Sequence, residues 1–240
     1  GFIGSHIADL LLDTDVREIV VLDNFRRGSR KNLAHAEQDN RVRLVEGSIT
    51  DRELVRQTLN GADGVFLLAA LWLSECVADP RAALDVNVMG NYNVMEACRD
   101  LGVQRMVYSS SASVYGNAIE VPMSEEHPFN NRTMYGATKI AGEQILRSYN
   151  DTYGFDYVGL RYMNVYGPRM DYHGTYVSVI MKVLDRIASG EPPVIFGDGS
   201  QSYDFIHVKD IARANILSMQ AEVTDEFFNI GSGEATTINE

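Results

Sequence analysis

The stretch MYGATKIAGE (134–143) sets a tyrosine and a lysine, Tyr135 and Lys139, four residues apart. On a helix that spacing puts both side chains on one face, one turn apart. An ammonium beside a phenol favours the phenolate. Tyr135 could then accept a proton at a pH where a free tyrosine, with a pKa of about 10, keeps its own. The chain has 12 Tyr and 4 Lys, so such a pair also arises by chance and does not define a site alone. A second group of hydroxyls, SSSASVYG (109–116), closes the apolar run RMVYSS. Serines at the C-terminal edge of a strand face the ligand crevice of an open α/β sheet, although serine runs also occur in plain turns.

The elements that must position these groups are legible as alternation. IVVLD (19–23), VRLVE (42–46), GVFLLA (64–69), RMVYSS (105–110) and YVGLRY (157–162) are nearly continuous apolar runs. Such runs predict strands covered on both faces, as in parallel sheets. Between them lie helical patterns at 4–13, at 51–60 behind Thr50 as N-cap, at 80–101 opening on Pro80, and at 134–150. The last carries Ala137, Ile140, Ala141 and Ile145 on one stripe, as a helix packed on a core requires. Strand alternating with helix predicts an α/β protein with a doubly wound parallel sheet. Its ligand edge is the row of strand C-terminal ends.

After about residue 165 the texture changes. GPRMDYHGTY reads as a loop, 175–190 as a helix stopped by Gly190, and EPPVIFGDGSQSYDFIHV as short strands and turns. A helix at 209–221 and a strand FFNIG follow. We expect residues 1–165 to form the doubly wound domain and 166–240 a smaller α/β domain laid over the sheet edge.

The opening GFIGSH places Gly1 and Gly4, with Phe2 and Ile3 between them, at a helix start. Glycine there lets backbone N–H groups approach a pyrophosphate, whose charge the helix dipole favours. An ordinary helix start explains G-x-x-G about as well. Asp23 strengthens the reading, because it ends a strand 19 residues after Gly4. That is where a Rossmann unit holds the acid that binds the adenosine ribose. A carboxylate there repels a 2′-phosphate and favours NAD over NADP, a preference softened by Arg26 and Arg27. With a dinucleotide in the crevice, the serine hydroxyls, Tyr135 and Lys139 would surround a sugar carbinol beside a nicotinamide.

The net charge of −12 argues against nucleic acid as the main partner. Hydrophobic content of 45% and charged content of 22% are those of a globular protein. No apolar run is long enough to span a bilayer. Cys76 and Cys98 match no metal spacing and read as reduced, buried thiols of a cytoplasmic protein; no metal is expected. The chain starts without Met or a preceding strand and ends on TTINE, so it reads as a fragment cut at both ends.

GFIGSH, LDNF, FLLAA, SSSASVYG, YGATK, LRYMNVYGPR and DFIHVKDIA, in this order, resemble the extended short-chain dehydrogenase/reductase family. Within it they are most similar to nucleotide-sugar epimerases of the UDP-glucose 4-epimerase type. The resemblance covers nearly the whole chain, and it implies NAD as cofactor and a UDP-hexose as substrate. It assigns Gly1, Phe2, Ile3 and Gly4 to the pyrophosphate turn, Asp23 and Asn24 to the adenosine ribose, and Ser48 and Ile49 to the adenine. It gives Leu68, Ala69, Ala70, Asn87 and Ser109 to the cofactor site, with Tyr162 and Met163 walling the nicotinamide. The catalytic groups would be Ser111, Tyr135 and Lys139. The substrate would meet Ser111, Ser113, Tyr135, Asn164, Arg169 and Tyr203. A homodimer through helices 80–101 and 134–150 is also implied, with Ala82, Val86, Met95, Ile145 and Tyr149 facing outward, although these could equally be core.

Departures from the family pattern sharpen the reading. A lysine common after the AAL run is Trp72 here. An arginine that grips the nucleotide diphosphate is Tyr203, and losing such a charge-assisted contact weakens phosphate binding unless another cation substitutes. Arg169 and Lys182 are the candidates. Sister dehydratases and decarboxylases carry acids just after the catalytic hydroxyl, where this chain has Ala112 and Ser113, so elimination lacks its proton shuttle. Glu120, Glu125 and Glu126 lie nearby in the sequence. The expected reaction is NAD-dependent epimerisation at C4 through a 4-keto intermediate. A nucleotide-sugar 4-ketoreductase or dehydratase of the same family and a catalytically silent NAD-binding module stay open beside it.

Overall fold

The computed structural model describes residues 1–170 and 179–240. β1 (Ile19–Asp23) pairs in parallel with β2 (Val42–Glu46). A second parallel block has the order β3 (Gly64–Leu67), β4 (Arg105–Ser111), β5 (Tyr157–Tyr162) and β9 (Glu226–Ile230). Helices cover both faces, which is why these strands read as unbroken apolar runs. Along β4 the pleat sends Met106 and Tyr108 into a core with Met95, Cys98 and Leu146. Val107 goes to the other face, against Val158, Leu160 and Ile211. The fold is the expected α/β parallel sheet.

Three boundaries differ from expectation. The helix α2 (Arg52–Leu59) is capped by Asp51, whose carboxylate accepts from the Leu54 N–H at 3.0 Å, while the Thr50 hydroxyl turns to Ser48 at 2.8 Å. The single helix expected over 80–101 is interrupted. A short α4 (Pro80–Ala83) runs into a π-helical turn over Leu84–Gly90, and α5 (Asn91–Leu101) follows. The division at 165/166 is also crossed. α8 (Val208–Gln220) packs on α1 (Phe2–Leu12), β4 and β5, and β9 hydrogen-bonds to β5. Residues 208–230 therefore belong to the sheet layer. What lies over the sheet edge is β6 (Asn164–Tyr166) paired with β8 (Phe205–His207), and β7 (Ser202–Tyr203) paired with β10 (Thr236–Thr237). Of the helix expected at 175–190, α7 spans Val179–Ala188, and positions 175–178 of that expectation lie outside the described residues.

Met95 and Tyr149, two of the positions suggested for a dimer face, are core residues, and Ala82, Val86 and Ile145 pack against the core clusters. The exposed apolar side chains of this region are instead Val77, Leu84, Met89 and Tyr153. No described helix is long and apolar enough to cross a membrane. Cys76 and Cys98 are buried free thiols.

The sheet is locked to α6 (Met134–Tyr153) by a buried ion pair. Glu143 on α6 receives Arg161 of β5 on both oxygens, at 3.0 and 2.7 Å, and the Ser110 hydroxyl of β4 at 2.5 Å. Arg161 also donates to the Tyr115 hydroxyl at 2.8 Å and the Glu125 carbonyl at 2.9 Å. Both charges are almost wholly withdrawn from solvent, so each depends on the other. Arg161→Met should destabilise the protein by about 3–5 kcal/mol in urea titrations by stranding the carboxylate. Adding Glu143→Gln to that variant should restore a large part of the loss.

Candidate active site

The site begins with the start of α6. Thr133, in extended backbone, accepts the Gly136 N–H on its hydroxyl at 3.0 Å and fixes where the helix begins. Tyr135 thus falls in the first turn and Lys139 in the next. Both reach the C-terminal end of β4, where the strand delivers Ser109, Ser110 and Ser111. The pleat splits the three serines. Ser110 points away, to Glu143. Ser111 stands beside the Tyr135 phenol, where its hydroxyl favours the ionised form, and accepts the Ser113 N–H at 3.2 Å. Ser109 shares a hydrogen bond with the Tyr162 hydroxyl at 2.9 Å, and its carbonyl accepts from the Lys139 ammonium at 2.7 Å. Ser111, Tyr135 and Lys139 all line one cleft of about 2300 Å³. Its size exceeds the ~300–1,000 Å³ of ordinary ligand pockets. It also runs between the facing edges of β1 and β3, which no backbone hydrogen bonds join.

The electrostatics differ from the sequence expectation. Burial pushes the Tyr135 phenol up, to about 12, against the downward pull of the nearby Ser111 hydroxyl and of the Arg27 charge. Lys139 does not set that balance. Its ammonium sits 5.7 Å from the centroid of the Tyr135 ring and 5.3 Å from that of Tyr108. Burial brings Lys139 itself down to about 8, opposed by Cys76 and Glu143. At neutral pH the resting pair is therefore a neutral phenol and an ammonium, and desolvation is the dominant cause of both shifts.

The other end of the cleft is built for an anion and a sugar. Phe2, Ile3 and Gly4 form the first turn of α1 and line the cleft, where N–H groups precede the intrahelical ladder. A Cβ on Gly4 would meet nothing within 4 Å, so the protein's own packing does not require glycine there, whereas close approach of a ligand does. Asp23 ends β1 with one oxygen on the Phe25 N–H at 2.8 Å. Each oxygen keeps a further lone pair for a ribose hydroxyl. Asn24, Ser48, Ile49, Leu68, Ala69, Ala70, Tyr162 and Met163 line the same cleft. A dinucleotide such as NAD fits this set.

Some expected residues are placed elsewhere. Asn87 is fully buried off the cleft. Its amide binds both backbone groups of Leu71, at 2.6 and 3.0 Å, and donates to the Thr138 hydroxyl at 3.1 Å. It ties the loop after β3 to α6, and the π-helical turn aims it there. Arg169 lines the cleft, but its guanidinium is held by Asp9 of α1 at 2.7 Å. Lys182 does not line the cleft. Ser113, Asn164 and Tyr203 do, with Asn164 donating to the Asp204 carbonyl at 3.3 Å. Glu120, Glu125 and Glu126 stay out of the lining; Glu125 accepts the Asn229 N–H at 2.9 Å.

Several residues had no signal of their own in the sequence. Asn215 of α8 braces the Tyr162 hydroxyl at 2.8 Å. Gly28 lies against the glycine turn, since a Cβ there would come within 3.0 Å of Gly1. An unremarkable R-R-G-S hid Gly28, and helical periodicity hid Glu143 among surface carboxylates.

The lysine supplies a test of this electrostatic picture. A lysine lowered to about 8 from 10.5 is bound to fewer protons in the folded than in the unfolded chain between those values, so its contribution to stability rises with pH there. Folding stability measured by urea titration should rise from pH 8 to 9.5 in the unsubstituted protein relative to Lys139→Met. Parallel curves would show that Lys139 titrates normally.

Comparison with known proteins agrees with this geometry. The NAD dependent epimerase/dehydratase family matches residues 1–231. The chain is 35% identical over 243 residues to the UDP-glucose 4-epimerase of Mycolicibacterium smegmatis, spanning 100% of this chain and 77% of that protein. Among solved structures it resembles the UDP-N-acetylglucosamine 4-epimerase of Methanobrevibacter ruminantium M1 in complex with UDP-N-acetylmuramic acid. The TM-score is 0.94 and the identity 38%, covering 100% of this chain and 76% of that one. It also resembles the Thermotoga maritima UDP-glucose 4-epimerase with UDP-glucose, with TM-score 0.92, 34% identity and the same coverage. With the fold, the ordered motifs and the cleft in agreement, the chain belongs to the NAD dependent epimerase/dehydratase family.

Proposed function

We propose that this protein is an NAD-dependent epimerase that inverts C4 of a nucleotide sugar, a UDP-hexose, through a transient 4-keto sugar. The observation that carries the reading is the meeting of Ser111, Tyr135 and Lys139 at the end of β4, in the cleft that the glycine turn and Asp23 also line. NAD bound there would accept the sugar's hydride and return it. Phe2, Ile3 and Gly4 would hold its pyrophosphate and Asp23 its ribose; Tyr162 and Met163 would flank the reacting end.

The protein's residues handle the proton. Tyr135 takes the proton of the C4 hydroxyl and gives it back to the ketone oxygen. The neutral phenol found here suits the second half, delivery of a proton. The first half needs the phenolate, which the nearby Ser111 hydroxyl and positive charge favour. Ser111 orients the reacting oxygen. Lys139, pinned to the Ser109 carbonyl, keeps a cation beside the tyrosine. Neither residue after Ser111 is an acid, and Glu120, Glu125 and Glu126 stand outside the cleft lining. That arrangement favours epimerisation over elimination.

Arg169 pairs with Asp9 through Nη2, while its Nη1 has no partner among the described residues, so Asn164 and Arg169 would meet the substrate diphosphate in place of the arginine that Tyr203 replaces. Exposed Leu84, Met89 and Val77 offer the surface for a homodimer. Two free buried thiols suit a reducing cytoplasm.

The test uses the protein with NAD and UDP-hexoses deuterated at C4. An epimer that keeps its deuterium is the expected product. Label lost to solvent, no epimer from any donor, or stoichiometric use of reduced cofactor would overturn the reading. Tyr135→Phe should cut turnover by about 10²–10⁴-fold while NAD binding, followed by calorimetry, persists.

A further inference from the structure

The loop after β1 crosses to the segment after β3, and two contacts hold it there. Arg27 stacks over the ring of Trp72, 4.1 Å from its centroid. Arg26 reaches Glu75 of α3 (Leu73–Ala78), with Nε 3.1 Å from Oε1. Glu75 is itself fixed, because its second oxygen accepts the Trp72 N–H at 3.2 Å. The near end of the loop is equally constrained. Asp23 and Asn24 accept the Phe25 and Arg26 N–H groups at 2.8 and 3.1 Å, Phe25 adopts φ of 50°, and Gly28 rests on Gly1. Arg26, Arg27, Trp72 and Glu75 all line the cleft. These side chains therefore join the two cleft walls close to the first turn of α1, where a pyrophosphate would rest.

We propose that the Arg27–Trp72 stack, braced by Arg26 and Glu75, is a strap across the cofactor cleft that retains the dinucleotide. The inference rests on the NAD-binding reading above and adds residues to it. Trp72 stands where the family resemblance leads one to expect a lysine. Arg27, brought in from the opposite wall and flattened on the indole, restores the positive charge from another direction. Its influence extends to the catalytic end of the cleft, since its charge favours the ionised form of Tyr135. The contacts are partly solvent-exposed, so the strap can open to admit the cofactor, and its strength should fall with salt.

Trp72 is the chain's single tryptophan, which gives the test a direct optical report. The protein is loaded with NADH and chased with excess NAD in a stopped-flow instrument, reading NADH emission. Arg27→Gln and Trp72→Ala should each speed NADH release about fivefold, the rate equivalent of about 1 kcal/mol for such a stack. Trp72→Phe, which keeps an aromatic face, should stay within about twofold of the unsubstituted protein. Arg27→Gln should also shift the Trp72 emission in the cofactor-free protein, and thermal midpoints should show that each variant is folded. Release at the unsubstituted rate from both Arg27→Gln and Trp72→Ala, with the emission shift present, would overturn the strap while leaving the NAD reading intact. A protein that binds no NADH at all would overturn both.

Discussion

The site depends on one buried interaction, the bidentate pairing of Glu143 with Arg161. Glu143 lies one helical turn beyond Lys139, and Arg161 is the penultimate residue of β5, opposite Ser110 of β4. Holding these two charges out of water costs several kcal/mol per ion unless geometry and further hydrogen bonds compensate. Here Ser110, Tyr115 and the Glu125 carbonyl supply them. The consequence is positional. α6 cannot slide along the sheet without stranding a charge, so Tyr135 and Lys139 keep their register against Ser111. The same network reaches Asn229 at the end of β9 through the Tyr115 hydroxyl, at 2.6 Å. The cleft end of the sheet is thereby tied to the segment that continues over it.

A second clamp works on the other side of α6. Asn87 sits in a π-helical turn, where the extra residue rotates a side chain away from the face it would otherwise occupy. Its amide is spent on the Leu71 backbone and on Thr138. The loop carrying Ala69, Ala70 and Trp72 is thus fixed to the helix that bears the tyrosine. The cofactor wall and the proton-transfer group share a support, and the strap contacts at Trp72 and Glu75 start from it.

Desolvation then sets the chemistry of the pair. Tyr135 and Lys139 are moved in opposite directions by the same cause, each toward its neutral form. Such paired groups, with values pushed away from the ordinary, mark sites of proton transfer. The sequence alone suggested that the lysine would ionise the tyrosine. In the fold the ammonium lies over ring faces and a backbone carbonyl, so burial outweighs it.

What the chain determined on its own is local and periodic. Five apolar runs became β1 to β5 with small changes at their ends, because a strand buried on both faces has no polar alternation to misread. Tyr135, Lys139 and Ser111 were legible because their spacing obeys the helix and strand periods, and Asp23 because it closes a strand. What tertiary structure alone decided is partnership across long separations. Glu143 and Arg161 are ordinary charges until α6 and β5 meet, and Arg169 is a free cation in the sequence but an ion pair with Asp9 in the fold. The return of β9 to the main sheet, the inward turn of Asn87, and the stacking of Arg27 on Trp72 have the same origin. Each is a contact between residues distant in the chain, chosen by packing and desolvation, and neither leaves a period or a spacing in the sequence.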